Sequence, residues 1–316
     1  GSHTAISLIK QGYNVIIIDD LSNSSRQTIK KLSSITGKKI KFIKNNLSNE
    51  FFLKKTINEN NINSIIHFAA LKSVEESIEK PFLYMHNNII STSNLLSAMK
   101  GTDCQYFIFS SSACVYGVPK KLPIKENHQL QACNPYGQTK IICEDLINKF
   151  LEENNEINAA TLRYFNPIGA HESGIIGENP SKPSNLMPVI INMLKQNIYT
   201  VKIFGKNYDT VDGTPLRDFI HVMDIADGHV SALNYLKINN KNITVNLGTG
   251  KGYTVLQLVK TFIKETGIDL TIKFTSRRKG DVAKNYANIT KAKKLLKWEP
   301  KRSLSEMCIS AYRSSK

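Results

Sequence analysis

Short apolar runs alternate with longer amphipathic stretches through the first 165 residues. Val15-Ile16-Ile17-Ile18, Ile65-Ile66-His67-Phe68, Phe107-Ile108-Phe109 and Ala159 to Phe165 each read as a buried strand. Pro81 to Met99 and Pro135 to Glu153 read as helices between them. Strands separated by helices predict right-handed βαβ units: an α/β fold with a Rossmann-type, doubly wound parallel sheet. Ligands on such sheets bind at the carboxyl ends of the strands. From Asn166 onward the pattern loosens, and Gly, Pro, Asn and Ser are frequent from Pro167 to Pro188, which predicts long loops. We therefore expect a dinucleotide-binding domain over 1–165 and a smaller α/β substrate lobe over 166–316. Part of 215–250 is expected to return to the sheet, through the strand-like Ile243 to Leu247.

The opening Gly1-Ser2-His3-Thr4-Ala5-Ile6 runs straight into helix-like residues. A dinucleotide fold places a first strand and a glycine-rich turn before such a helix. Gly-Ser-His reads either as an expression-tag remnant or as the end of a G-x-x-G-x-x-G turn whose start is missing. The unbroken run into helix and strand favours the second, and the expectation is an N-terminally incomplete domain.

Composition narrows the class. Of 316 residues, 41% are apolar and 22% charged, as in soluble globular proteins. No apolar run approaches the roughly 20 residues that cross a bilayer. The five cysteines form no C-x-x-C pair, so neither a disulfide framework nor a metal site is indicated, and a cytoplasmic protein is expected. The net charge of +16 comes from lysines scattered among Asn and Ile, which reads as a solvated surface rather than a nucleic-acid site.

Candidate chemistry sits at the strand ends. Val15 to Ile18 runs into Asp19-Asp20, where a carboxylate would bond ribose hydroxyls and repel a 2′-phosphate, selecting NAD. Leu21, Ser22, Asn23 and Ser24 continue as a polar loop suited to an adenosine. Phe68, Ala69, Ala70 and Lys72 follow another strand end, and the alanines would let backbone approach a cofactor; helix packing explains them equally well. Tyr136-Gly137-Gln138-Thr139-Lys140 is the strongest signal. Tyr-x-x-x-Lys stacks both side chains on one helix face, where an ammonium, helped by a positive nicotinamide, favours the phenolate of an otherwise poor base. Alone, that spacing is as readily a surface helix. Ser110-Ser111-Ser112, at a strand end 24 residues before Tyr136, supplies context, and Ser112 is the expected hydroxyl relay.

With these residues in place the chain resembles the UDP-glucose 4-epimerase family of extended short-chain dehydrogenases, over nearly its whole length. Asp19 to Ser24, Phe68 to Lys72, Phe109 to Gly117 and Pro135 to Lys140 match its cofactor and catalytic motifs. Tyr164 to Ala170, Asn185 to Pro188, Arg217 to Val222 and Arg277-Arg278-Lys279-Gly280-Asp281 match it in the second half. The resemblance implies tightly held NAD and a transient oxidation. Tyr136 would take the proton of the sugar 4-hydroxyl through or beside Ser112, hydride would leave C4, and the 4-keto sugar would be reduced again on its other face. UDP-glucose and UDP-galactose would interconvert. Lys140, Asn46, Leu47, Asn87 and Phe165 would be further cofactor contacts. Asn166, Asn185 and Leu186 would line the sugar and diphosphate, Arg217 and Arg278 would bond phosphates, Asp281 the uridine ribose, and Lys202, Ile203 and Phe204 would border the uracil. A homodimer packed through helices is implied as well.

Two departures from the family change expectations. Asn46 stands where an aspartate often faces the adenine amine, which weakens that bond. Asn285 stands where strict glucose/galactose enzymes carry a tyrosine, so N-acetylated sugars are expected to fit too. A dehydratase of the same fold needs an acidic pair after the catalytic hydroxyl, and Ala113-Cys114 occupy those places. Dehydration therefore ranks well behind epimerisation, and the alternatives are such a dehydratase, a decarboxylase and a non-catalytic NAD-binding fragment.

Overall fold

The structure is a computed structural model, and it describes residues 1–178, 180, 183–278 and 280–316. Lys279 of the Arg277 to Asp281 motif therefore lies outside the described residues. The first half runs α1 (Ser2–Lys10), β1 (Ile16–Asp19), α2 (Arg26–Thr36), β2 (Lys41–Lys44), α3 (Glu50–Glu59), β3 (Ser64–His67), α4 (Val74–Glu79), α5 (Pro81–Met99), β4 (Tyr106–Ser112), a 3-10 turn (Ala113–Tyr116), α6 (Pro135–Glu153) and β5 (Asn158–Tyr164). The second runs β6 (Asn166–Ile168), α7 (Leu186–Lys195), β7 (Thr200–Phe204), β8 (Leu216–Arg217), β9 (Phe219–His221), α8 (Val222–Asn239), β10 (Ile243–Leu247), β11 (Tyr253–Thr254), α9 (Val255–Thr266), β12 (Thr271–Thr275), β13 (Lys284–Asn285), α10 (Thr290–Leu296) and α11 (Leu304–Arg313).

The helix boundaries follow from their caps. Pro135 opens α6, where its fixed φ and missing N–H cost nothing, and the Asn134 side chain accepts from Gly137 N. Thr254 with Gln257, and Ser303 with Glu306, form reciprocal capping boxes on α9 and α11. α2 stops at Gly37, whose φ of 66° suits a residue without Cβ.

Among the described residues the larger sheet has the order β10-β5-β4-β3, all parallel. β4 and β5 are buried along their middles, so they read as continuous apolar runs. Among the described residues β1 and β2 pair with each other as a separate parallel ribbon, and both β1 and β3 are largely half-buried. The start of α1 lies close to β3, and a Cβ on Gly1 would come within 3.6 Å of the Phe68 ring.

β10 pairs with β5 from Ile243 opposite Ala160 to Leu247 opposite Tyr164. One core cluster joins Ala160 and Leu162 to Leu233 and Leu236 of α8, to Val245 and Leu247, and to Trp298, whose Nε1 donates to the Asp224 carbonyl at 2.9 Å. Each such side chain stabilises the fold by roughly 1.5–3 kcal/mol relative to exposure. A second cluster packs α7, α9 and α11 on β7 and β9.

Between β8 and β9 sits Asp218, a carboxylate with no solvent exposure. It accepts from Thr249 N at 2.7 Å, Thr249 Oγ1 at 2.6 Å, Gly250 N at 3.0 Å and Ala287 N at 3.0 Å. Its own backbone binds Asn166 N and the Asn285 carbonyl. Asp218 thus stitches three loops of the second half together. Asp218→Asn turns one acceptor into a donor facing backbone N–H groups. Leaving buried donors unmet costs about 1–3 kcal/mol each, so thermal or urea unfolding should show a loss of about 2–4 kcal/mol, and a loss below about 0.5 kcal/mol would contradict this role.

Candidate active site

The three expected catalytic side chains meet at the carboxyl end of β4. Ser112 is the last residue of that strand, and its Oγ accepts from Cys114 N at 3.2 Å. Tyr136 lies in the first turn of α6, whose Gly137 comes so close to the next turn that a Cβ there would be 2.7 Å from the Cys114 carbonyl. Only glycine allows the helix this near to the end of β4. Lys140 is 4% exposed, donates from Nζ to the Ser110 carbonyl at 2.8 Å, and sits 5.9 Å from the Tyr136 ring centroid.

Burial dominates the electrostatics of this pair. Burial pushes the Tyr136 phenol well above its ordinary range, with Cys114 adding to the rise and the Ser112 side chain opposing it. Burial holds Lys140 down at about 8, with Cys143 and Glu144 opposing. The ammonium directs its hydrogen bond to the Ser110 carbonyl rather than to the phenol, so Lys140 alone does not acidify Tyr136. A positive charge arriving beside the pair is needed.

The adenosine-side residues form a cupped loop. Asp19 Oδ1 accepts from Leu21 N at 2.7 Å and from Ser24 Oγ at 2.7 Å, and Asp20 Oδ1 accepts from Ser22 N at 2.8 Å. Leu21 takes φ 63°, which turns the chain around the carboxylate. Asn23 is exposed in the same loop. Asn46 is exposed and accepts from Ser48, while the Leu47 carbonyl accepts from Asn94. After β3, Phe68 lies 4.8 Å from the His229 ring, Ala69 is exposed, Ala70 is half-buried, and Lys72 pairs with Glu178 at 2.8 Å. Asn87 is exposed and donates to Asn88. It is the buried Asn88 that fixes the loop, bonding Leu71 N, Leu71 O and Thr139 Oγ1. Sequence reasoning passed over Asn88. Its only signal was its place on the inward face of α5. Phe165 is 6% exposed and packs with Ala113, Tyr116 and Ala287.

On the second half, Arg217 donates to the Leu216 carbonyl at 2.9 Å and to Asp281 Oδ1 at 3.3 Å. The expected ribose acceptor Asp281 thus also orients Arg217. Arg278 is exposed and stacks on Phe204 at 4.0 Å. Arg277, assigned no role from sequence, lies 4.1 Å over Tyr208 and bonds Asn207. Asn285 pairs with Arg217 in the register of β13 and β8. Buried polar atoms of Tyr208 (Oη) and Asn285 (Oδ1) have no partner among the described residues; unmet buried polar atoms are costly and favour a ligand or water there. Ile203 corrects an expectation: at 1% exposure its side chain belongs to the core, leaving only its backbone for a ligand. Lys202 is exposed beside it, Asn166 is half-buried on β6, Asn185 is exposed ahead of α7, and Leu186 packs on the second core. Burial pushes the Cys114 thiol up, with the Ser112 side chain and then the Arg217 guanidinium opposing the rise.

Comparison with known proteins agrees with this geometry. A family profile described as GDP-mannose 4,6 dehydratase matches residues 1–310. UDP-glucose 4-epimerase of Bacillus subtilis (strain 168) is 44% identical over 314 residues, covering 99% of this chain and 93% of the relative. The crystal structure of UDP-glucose-4-epimerase from Stenotrophomonas maltophila with bound NAD and formylated UDP-arabinopyranose is similar at a TM-score of 0.97 and 39% identity, covering 100% of this chain and 94% of that one. That of UDP-glucose 4-epimerase from Bifidobacterium longum in complex with NAD+ and UDP gives a TM-score of 0.93 at 40% identity, covering 99% and 94%. Likeness at this level, over nearly the full length of each relative, makes the chain a member of the UDP-glucose 4-epimerase family.

Proposed function

We propose that the protein interconverts UDP-glucose and UDP-galactose with NAD as resident cofactor. The observation that carries this reading is the meeting of Ser112, Tyr136 and Lys140 at the end of β4. The residues present fit NAD. The loop after β1 wraps around the Asp19 carboxylate, which gathers its hydrogen bonds at Oδ1, and a 2′-phosphate would meet that negative charge. Asp19 to Ser24, Asn46, Leu47, Phe68 to Ala70, Lys72, Asn87 and Phe165 would hold it, residues 1–165 carrying most of the site. When bound, NAD supplies a hydride acceptor and donor for the sugar C4 and a positive charge.

Tyr136 exchanges the proton of the sugar 4-hydroxyl, and Ser112 bonds that oxygen and relays the proton. Lys140 adds a positive charge that favours the phenolate. Arg217 offers a planar fork of donors to the diphosphate, and Arg278 can do the same from its stack on Phe204. Lys202, Phe204 and the Ile203 backbone would border the uracil, and Asn166, Asn185, Leu186 and Asp281 the sugar and ribose. The unpartnered Asn285 oxygen is available to a sugar donor group.

A second copy is the natural cover for the exposed Ile78 of α4 and for Phe82, Leu83 and Ile90 of α5, where Phe82 is 83% exposed. We place the protein in the cytosol. Its five cysteines are free, and no helix among the described residues is long and apolar enough to cross a membrane.

The wild-type protein incubated with UDP-galactose and NAD should yield UDP-glucose; no product from well-folded protein would sink the proposal. Tyr136→Phe should lower kcat by about 10²–10⁴-fold with KM changed little. UDP-N-acetylgalactosamine should also turn over, and Asn285→Tyr should abolish that while sparing UDP-galactose; loss of both together would refute a selectivity role. Sedimentation should report a dimer, and Phe82→Asp with Ile90→Asp should give a folded monomer if the α5 face is the contact.

A further inference from the structure

The three serines that end β4 have separate roles. Successive side chains on a strand point to opposite faces. Ser111 therefore faces away from its neighbours, and its Oγ donates to Glu144 Oε1 of α6 at 2.5 Å. Directly across on β5, in register with Ser111, is Arg163. It grips the same carboxylate twice, Nε to Oε1 at 3.0 Å and Nη2 to Oε2 at 2.5 Å, with both side chains 6% exposed. Arg163 Nη1 also donates to the Tyr116 hydroxyl at 3.0 Å and the Glu126 carbonyl at 2.9 Å, and Tyr116 donates on to Asn246 of β10 at 2.6 Å.

This cluster ties β4, β5, β10 and the turn after β4 to one residue of α6. That residue lies one helical turn beyond Lys140, which lies one turn beyond Tyr136, so the three share a helix face. A rigid, two-nitrogen grip on Glu144 therefore fixes both the roll of α6 and its distance from the strand. We propose that Ser111, Glu144 and Arg163 form a positioning unit that sets where Lys140 and Tyr136 stand and which charge Lys140 feels. This rests on the reading of Tyr136 and Lys140 given above. The hydrogen bonds of Glu144 and Arg163 run to Ser111, Tyr116, Glu126 and each other, away from the Ser112–Tyr136 corner, so both act through Lys140.

The groups facing Lys140 are few. Its own helix brings Tyr136, Cys143 and Glu144. β3 brings His67, whose pKa burial lowers to about 3, and β4 brings the Ser110 carbonyl and the Phe109 ring at 4.7 Å. α5 faces this part of α6 with uncharged groups, Asn88 toward Thr139 and Thr92 toward Cys143. Glu144 is the carboxylate among them, and Arg163 neutralises it.

Opposite charges favour the ammonium and like charges disfavour it. Removing Glu144 should make Lys140 lose its proton at lower pH, and removing Arg163 should make it hold the proton to higher pH. A role in stability alone predicts no such opposition. The test is an NMR titration of lysines labelled at 13Cε, with the Lys140 signal assigned by its loss in Lys140→Arg. Glu144→Gln should move the midpoint down, and Arg163→Met up, by about half a pH unit or more; Arg163→Lys should stay near wild type. In the enzyme with NAD, the basic limb of the kcat profile should move in the same order, with KM for UDP-galactose held within about twofold. Midpoints that coincide, or that move the same way in both variants, would overturn the proposal. If either variant does not fold, Ser111→Ala replaces it: a small upward move supports the unit, and no move overturns it. Separated midpoints in a protein without epimerase activity would sink the functional reading and leave the positioning role standing.

Discussion

The structure depends on β4 being buried on both faces and bonded along both edges. Phe107, Ile108 and Phe109 have no exposure, and β3 and β5 pair on either side. In a strand so enclosed an unmet polar side chain is costly. Two of the serines at its end meet that demand, Ser111 bonding Glu144 and Ser112 the following turn beside Tyr136, while the Ser110 carbonyl binds Lys140 and the Ser110 hydroxyl has no partner among the described residues. Helix α6 is located by the satisfaction of one strand's polar atoms. Side chains placed this way inherit the rigidity of the sheet, which is what chemistry at a fixed atom would require.

The same enclosure shapes the electrostatics. Taking a phenol and an ammonium out of water favours the neutral form of each, so burial raises Tyr136 and lowers Lys140. Both shifts move the pair away from the phenolate–ammonium state that base chemistry needs. The site is therefore responsive: charge brought in by what binds decides where the proton sits. Groups displaced by desolvation and by specific neighbours are common at sites of proton transfer.

What could be read from the sequence was local. Pro81–Met99, Pro135–Glu153 and Ile243–Leu247 have the bounds expected from apolar spacing and from Pro and Gly punctuation. Tyr136 and Lys140 could be paired because four residues make one helical turn. The Glu144–Arg163 grip could not, since it needs the register of β4 on β5, a long-range fact that no spacing encodes. Asp218 was legible only as part of a motif; its role comes from three loops brought together by tertiary packing. Asn88 was not singled out, because facing direction on a helix decides which of two adjacent amides is buried. The interruption between β1 and β3 was legible in the opening residues, which run into α1 with no strand before it.

The re-entry of β10 has a bearing on modularity. The chain leaves the large sheet after β5, forms β6 to α8, and comes back to lay Val245 and Leu247 against β5 under α8. A cut after residue 165 would strip β5 of its outer neighbour and uncover Ala160 and Leu162, both without exposure in the intact fold. The two halves are thus interlaced rather than hinged. Swapping the substrate half between relatives would graft a piece of the host's own core, so chimeras should be joined outside Ile243–Leu247 and α8 rather than at the apparent midpoint.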